Sequence, residues 1–314
     1  TIQSLNFMKR FPVYAIAVCC LFFISCGKES SREQEPVAED TTETSNTKLL
    51  TKIVEYEKDH PGDSIITDFY YNANNKLIRT KEHTIATSGS DLGDEDNEYF
   101  IYRDVNDIVK RVTIMASHYE DGIFTHKDSS VYDMVYDTGS KHYKYIINTK
   151  NFKDIGTPYF IRDSLVYTYN SNDQITVLQI LRKDAATGIY FEAERREHDF
   201  DAKGNIIRIR FNENYDNQGD PLTEDVLTYD DKINPMNFGM EGFILGMYSF
   251  SWPTPNNPVR SDANESAVYS YNYDADNYPV LMESSFTDGG SGKSYFYYKT
   301  FCFQNNHQLI NIIY

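Results

Sequence analysis

Phe69-Tyr70-Tyr71-Asn72-Ala73-Asn74-Asn75-Lys76-Leu77-Ile78 runs an alternating aromatic segment into a polar turn and out along an apolar segment. Variants of it recur to the end of the chain. The aromatic before each turn falls at Tyr71, Tyr102, Tyr136, Tyr169, Phe200, Tyr229, Tyr273 and Phe303, with gaps of 31, 34, 33, 31, 29, 44 and 30 residues. A period near 30 residues marks a repeat architecture. Asn, Asp or Gly occupies each turn, where a hairpin needs positive φ. The flanks alternate aromatic or branched residues with polar ones, the period of a strand. Two strands per repeat and a leading strand near residues 50–56 predict an all-β fold. It is an antiparallel up-and-down meander of about sixteen strands, strongly curved or barrel-like, in a single domain over residues 49–314.

Composition supports that reading. The chain carries 26 Tyr and 19 Phe in 314 residues, a bias suited to half-buried pleated surfaces. Its formal charge of −17 repels phosphate backbones, which excludes nucleic acid as an expected partner. Cys19, Cys20 and Cys26 lie at the N-terminus, leaving Cys302 alone in the body, so no internal disulfide framework is expected.

Residues 1–25 read as a targeting segment, with Met8 as the start. Lys9 and Arg10 precede twelve apolar residues, Val13 to Ile24, too few to span a bilayer comfortably. The run ends in Phe23-Ile24-Ser25-Cys26-Gly27. This resembles the lipobox of bacterial lipoproteins, with Phe23 where that pattern usually has Leu. The resemblance implies diacylation of Cys26 and a partner in the membrane through its acyl chains. Two chains give stable anchoring where one would not. It further implies the Gram-negative outer membrane, on its periplasmic or cell-surface face. Residues 26–48 are acidic and lack aromatics, a disordered tether by composition.

The fifth repeat, with His198, Phe200, Asp201 and Gly204-Asn205, resembles the YD repeats of Rhs-type proteins. The body from about Leu49 to Tyr314 resembles a family of envelope lipoproteins with a porin-like meander. Neither resemblance implies a catalytic residue. A membrane-spanning barrel is not expected, because strand-like segments carry charges on both faces. Phe191-Glu192-Ala193-Glu194-Arg195-Arg196-Glu197-His198, Lys81-Glu82-His83 and Arg208-Ile209-Arg210 are the examples.

The period breaks at residues 230–266. Asn234-Pro235 fits a helix start, and three glycines keep any helix short, so a helical or irregular insertion is expected. Its apolar residues suit a plug for the concave face. Phe243, Tyr248, Phe250 and Trp252 are candidates for a ligand wall. Asp40-Thr41, Asp63-Ser64 and Asp163-Ser164 resemble O-glycosylation sites, which makes Thr41, Ser64 and Ser164 candidates. Gly289-Gly290-Ser291-Gly292-Lys293-Ser294 imitates a phosphate loop, yet Tyr295 onward reads as strand, so it is a hairpin loop. The acidic run Asp91 to Glu98 reads as a solvated loop rather than a calcium site.

The seven histidines are scattered among the repeats and most read as solvated strand or turn residues, so no metal, cofactor or catalytic set is expected. The leading expectation is therefore a non-enzymatic, lipid-anchored envelope lipoprotein, a binding or scaffolding module. Its rivals are a carrier of an apolar or saccharide ligand near Trp252, and a glycosidase-type enzyme with carboxylates drawn from separate strands.

Overall fold

The computed structural model describes residues 48–57, 62–86, 95–120, 122–152, 163–183, 187–213, 223–242, 253–263, 266–303 and 309–312. The strands in chain order are β1 (Lys48–Glu57), β2 (Ser64–Tyr71), β3 (Leu77–Ile85), β4 (Glu95–Arg103), β5 (Val109–Glu120), β6 (Ile123–Asp137), β7 (His142–Phe152), β8 (Asp163–Tyr169), β9 (Ile175–Lys183), β10 (Tyr190–Phe200), β11 (Ile206–Glu213), β12 (Thr223–Tyr229), β13 (Pro258–Ser261), β14 (Ala267–Tyr273), β15 (Pro279–Phe286), β16 (Ser291–Phe303) and β17 (Leu309–Ile312). Each of the first sixteen pairs antiparallel with its neighbours in sequence, and β1 also pairs with β16. The meander is thus a closed barrel of sixteen strands. β17 is a further short strand on β16, with Thr300 facing Ile312 and Phe303 facing Leu309. Closure leaves no long free edge on the sixteen-strand wall to template aggregation.

Five of the turns that join even strands to odd ones are built alike. In residues 72–76, 104–108, 170–174, 201–205 and 274–278 the first side chain, an Asn or Asp, accepts two backbone N–H groups through Oδ1. For Asn72 these come from Asn74 and Lys76 at 3.0 and 2.9 Å, and for Asp104 from Asn106 and Ile108 at 2.9 and 3.1 Å. Asn170, Asp201 and Asp274 repeat the pattern. The fourth residue takes positive φ: Asn75 57°, Asp107 61°, Asp173 61°, Gly204 92° and Asn277 65°. Each loop is a tight turn followed by a left-handed residue, and the bulge after it re-aims the outgoing strand. This is why the period of the sequence tracks turns so closely.

Gly204 alone among the five has no side chain. A Cβ there would meet only ordinary contacts, Gln174 Nε2 at 3.5 Å and Pro255 Cγ at 3.7 Å, so backbone strain decides the cost of substitution. Gly204→Val is expected to destabilise the barrel by about 1–3 kcal/mol. Gly204→Asn, the residue type that Asn75 and Asn277 supply, is expected to cost less than half of that in urea denaturation. Equal losses for both variants would refute the reading.

Above the turns runs a ladder of tyrosines. Each sits near the end of an even strand and donates its hydroxyl to a carbonyl at or near the start of the preceding odd strand. Tyr71 reaches Leu50 (2.8 Å), Tyr169 reaches Tyr143 (2.8 Å), Tyr229 reaches Ile206 (2.6 Å), Tyr271 reaches Pro258 (2.9 Å) and Tyr298 reaches Pro279 (2.7 Å). Burial pushes all five phenols up, so they remain donors. Half-buried Tyr suits this place, with its ring in the core and its hydroxyl capping a backbone acceptor.

Tyr102 departs from the repeat it was expected to share. It is 51% exposed and points outward, and the next residue, Arg103, takes the inward place and donates Nε to the Leu77 carbonyl at 2.9 Å. β5 runs to Glu120 and β6 begins at Ile123, so most of the polar segment 120–127, expected as a long loop, is strand. The phosphate-loop mimic begins in a hairpin turn, closed by Phe286 N–H to Gly290 O at 2.8 Å, but β16 starts at Ser291 rather than after Ser294, so most of the mimic is strand.

The insertion closes the turn-lined end. Residues 240–242 form one helical turn, and Met236, Phe238 and Met240 pack against the core. Phe238 stacks on Phe69 with ring centres 6.5 Å apart. That core is a single cluster with residues from β1, β2, β3, β4, β5, β6, β7, β8, β9 and β16, including Leu50, Phe69, Ile101, Val112, Ile146 and Leu178. A barrel of this strand number is too wide for its own side chains to fill, so a segment of chain fills it here. The other end of the insertion is tied down by amides. Asn205 and Asn256 bond reciprocally at 3.0 and 3.1 Å, and Asn257 bonds Asp230 and the Ile233 carbonyl.

Candidate functional site

Strand alternation sorts every side chain into bore or exterior. Outside, charges pair across neighbouring strands in rows. Asp68, Lys81 and Glu98 face one another across β2, β3 and β4, and Glu197, Arg210 and Glu224 across β10, β11 and β12. Ion pairs knit these rows. They include Lys52 to Asp68 (3.3 Å), Arg79 to Glu98 (2.6 Å), Arg111 to Asp133 (2.6 Å) and Arg210 to Asp199 (2.7 Å). A bilayer-facing barrel needs an apolar band about 25 Å tall, and each Arg or Lys at its middle costs ~2–4 kcal/mol. The described exterior carries these ion pairs where such a band would lie. No helix among the described residues is long and apolar enough to cross a membrane.

The bore changes character along its length. At the turn-lined end it is apolar and holds the plug. Toward the end lined by the odd-to-even connections, the inward residues become polar across β16, β1, β3, β4, β5 and β6: Ser294, Glu55, Glu82, Asn97, Glu95, His118 and Asp128. This polar arc is the candidate site.

Glu82 is its centre. It is 3% exposed, and Asn97 donates Nδ2 to its Oε1 at 3.2 Å. Burial pushes the Glu82 carboxyl up to about 7, with Glu55 and Glu95 adding repulsion against the Asn97 hydrogen bond. Glu55 is raised in the same direction by loss of water, while Ser294 Oγ donates to it at 3.1 Å. An inward carboxyl such as Glu82, which keeps its proton near neutral pH, can exchange it, which is the property of a general acid or base.

Beside them, His118 faces Glu95 on one side and His126 on the other. His118 and His126 stack with centroids 4.3 Å apart. Elsewhere in the bore Arg196 pairs with the buried Glu194. His198, on β10, has Nδ1 3.0 Å from the Ile175 carbonyl, and burial lowers its pKa to about 4.

The expected ligand wall, Phe243, Tyr248, Phe250 and Trp252, lies outside the described residues, as do Cys26 and Thr41. Ser64 and Ser164 sit within strands: Ser64 is buried in β2 and Ser164 half-buried in β8, rather than in exposed loops. Glu95, Asp96 and Glu98 of the acidic run are strand residues of β4. The scattered histidines are not uniformly solvated, since His198 is buried. Sequence reasoning also missed the meeting of Glu55, Glu82 and Glu95. They lie on three different strands, and only the register puts them in one arc.

No protein-family model matches the chain, and no curated protein does. Among solved structures, the chain is similar to a porin-like protein from Bacteroides uniformis, at 14% identity and a TM-score of 0.49, over 81% of this chain and 97% of that one. It is also similar to a porin-like protein from Bacteroides vulgatus, at 12% identity and a TM-score of 0.43, over 80% of this chain and 99% of that one.

Proposed function

We propose that this is a lipid-anchored protein of the Gram-negative envelope whose barrel stands in water as a non-enzymatic binding or scaffolding module. The observation that carries the reading is the charged exterior around a plugged bore. Such a barrel offers lipid no surface, so membrane attachment falls to the segment before it. The lipobox-like Phe23-Ile24-Ser25-Cys26 supplies a means. The polar arc is then the surface offered to a ligand within the bore. Cells fed a clickable palmitate analogue are expected to label the protein, and Cys26→Ala is expected to abolish the label while leaving the barrel folded. Absence of label on the unaltered protein would remove the anchor from this reading.

A second reading rests on Glu82. A buried carboxyl with a pKa of about 7, beside Glu55 in a concave wall, suits acid–base chemistry on a saccharide. Turnover of aryl glycosides that vanishes in Glu82→Gln would favour it. No turnover by the unaltered protein across a panel of such substrates would dismiss it.

A further inference from the structure

We propose that the mouth of the barrel carries a binding site for a divalent transition-metal ion of the Zn2+ class, with His118, His126 and Asp128 as ligands. The β5–β6 register sets His118 directly opposite His126, and Asp128 follows two residues later on the same inward face. One ligand atom from each of the three lies within 4.8 Å of the others.

Two orphaned atoms point to a missing partner. His118 Nε2 and Asp128 Oδ1 are both buried, and neither has a hydrogen bond among the described residues. His118 Nε2 lies 3.6 Å from Asp128 Oδ2, too far for a hydrogen bond but close enough to share an ion. Buried polar atoms without partners are costly and uncommon, and coordination would satisfy both.

The surroundings prepare the imidazoles as ligands. Thr125 Oγ1 donates its one proton to the His118 carbonyl at 2.9 Å. Toward His126 Nδ1, 3.1 Å away, the same hydroxyl can therefore only accept. That places the His126 proton on Nδ1 and leaves the Nε2 lone pair free. On His118 the Glu95 carboxylate lies 4.0 Å from Nδ1, opposite the Asp128 side, and favours the proton there. His118 thus turns Nε2 toward Asp128, His126 keeps an unprotonated Nε2 to offer, and an oxygen supports the other nitrogen of each ring.

Two imidazoles and one carboxylate suit Zn2+, Co2+ or Ni2+ and do not suit Ca2+ or Mg2+, which take oxygen sets. Three protein ligands leave a fourth position for water. Coordination at ~2.0–2.2 Å requires the stacked rings to rotate towards each other, a rotamer change open to half-buried side chains at a mouth. The acidic balance of the chain raises the local concentration of cations.

The test uses the full chain, titrated with Zn2+ against a chromogenic chelator and separately with Co2+. One Zn2+ per chain is expected, with the intense visible absorption of four-coordinate Co2+. Affinity is expected to fall at least ~100-fold in His126→Ala and in Asp128→Asn. It is expected to stay unchanged in His83→Ala, whose imidazole lies beside Asp96 on the exterior. Zn2+ binding by the unaltered chain no tighter than by His126→Ala, or an equal loss in His83→Ala, would overturn the site. Should the ligand variants not fold, the unaltered protein still decides, because a weak six-coordinate Co2+ spectrum or none would also overturn it.

Discussion

Arg103→Leu is expected to lower the stability of the barrel by about 3–5 kcal/mol. Its guanidinium is 4% exposed and bonds four acceptors. Nε meets the Leu77 carbonyl (2.9 Å), Nη1 meets the Asp107 carbonyl (2.7 Å) and Glu241 Oε1 (2.8 Å), and Nη2 meets Glu241 Oε2 (2.7 Å). The two-pronged grip on Glu241 joins the wall to the plug, and the planar fork makes Arg103→Lys a poor replacement. Removing it strands a half-buried carboxylate whose remaining contact, Tyr143 Oη, is at 3.5 Å. Burying a pair gains little over apolar packing, whereas breaking one leaves a charge uncompensated. The double variant Arg103→Leu with Glu241→Leu should therefore recover most of the loss in a double-mutant cycle. Additive losses would show that the pair does not hold the plug.

The second large effect depends on pH and involves two groups of opposite sign. Glu82 keeps its proton in the folded state up to about pH 7, against an ordinary carboxyl value of 4.5. Between those values the folded chain binds the extra proton, so stability is full below the ordinary value and falls as pH rises through 7. His198 behaves the other way. Its folded value of about 4 lies below the ordinary 6.5, so the unfolded chain binds the extra proton and stability falls as pH drops from 6.5 to 4. Each shift corresponds to about 3 kcal/mol. Between pH 4.5 and 6.5 the two slopes offset, and the unaltered barrel gains a flat profile from them. Glu82→Gln keeps an acceptor for Asn97 and removes one slope. It is expected to leave stability unchanged below pH 4.5 and to raise it by about 3 kcal/mol above pH 7. His198→Gln leaves only the falling slope of Glu82. Urea denaturation at four pH values between 4.5 and 7.5 separates these outcomes, and a gain in Glu82→Gln that ignores pH would contradict the carboxyl assignment.

Much of the architecture was legible because the turns are local. Asn72, Asp104, Asn170, Asp201 and Asp274 each hold backbone N–H groups two and four residues ahead, so their spacing in sequence is the spacing of hairpins. Closure was less legible, since β1 meets β16 across more than two hundred residues, as in the pairing of Lys48 with Thr300. Tyr102 was misplaced by a slip of one residue: the inward position directly before the capping Asn or Asp, held by Tyr71 before Asn72 and Tyr169 before Asn170, is Arg103 before Asp104. Lys81-Glu82-His83 was read only as charge on both faces of a strand. Alternation sends Lys81 and His83 outward and buries Glu82, so the same triplet supplies both the water-facing exterior and the centre of the polar arc. The histidine pair was hidden for a related reason. His118 and His126 lie eight residues apart in the chain, and only the β5–β6 register sets them opposite each other.

A charged exterior around a plugged bore is the feature on which the functional reading stands. Phase partitioning of the barrel alone, residues 48–314 freed of the segment that carries Cys26, tests it most directly. The expected result is a folded, β-rich protein that stays in the aqueous phase without detergent and leaves liposomes impermeable to small ions. Recovery in the detergent phase together with ion conductance across liposomes would contradict it.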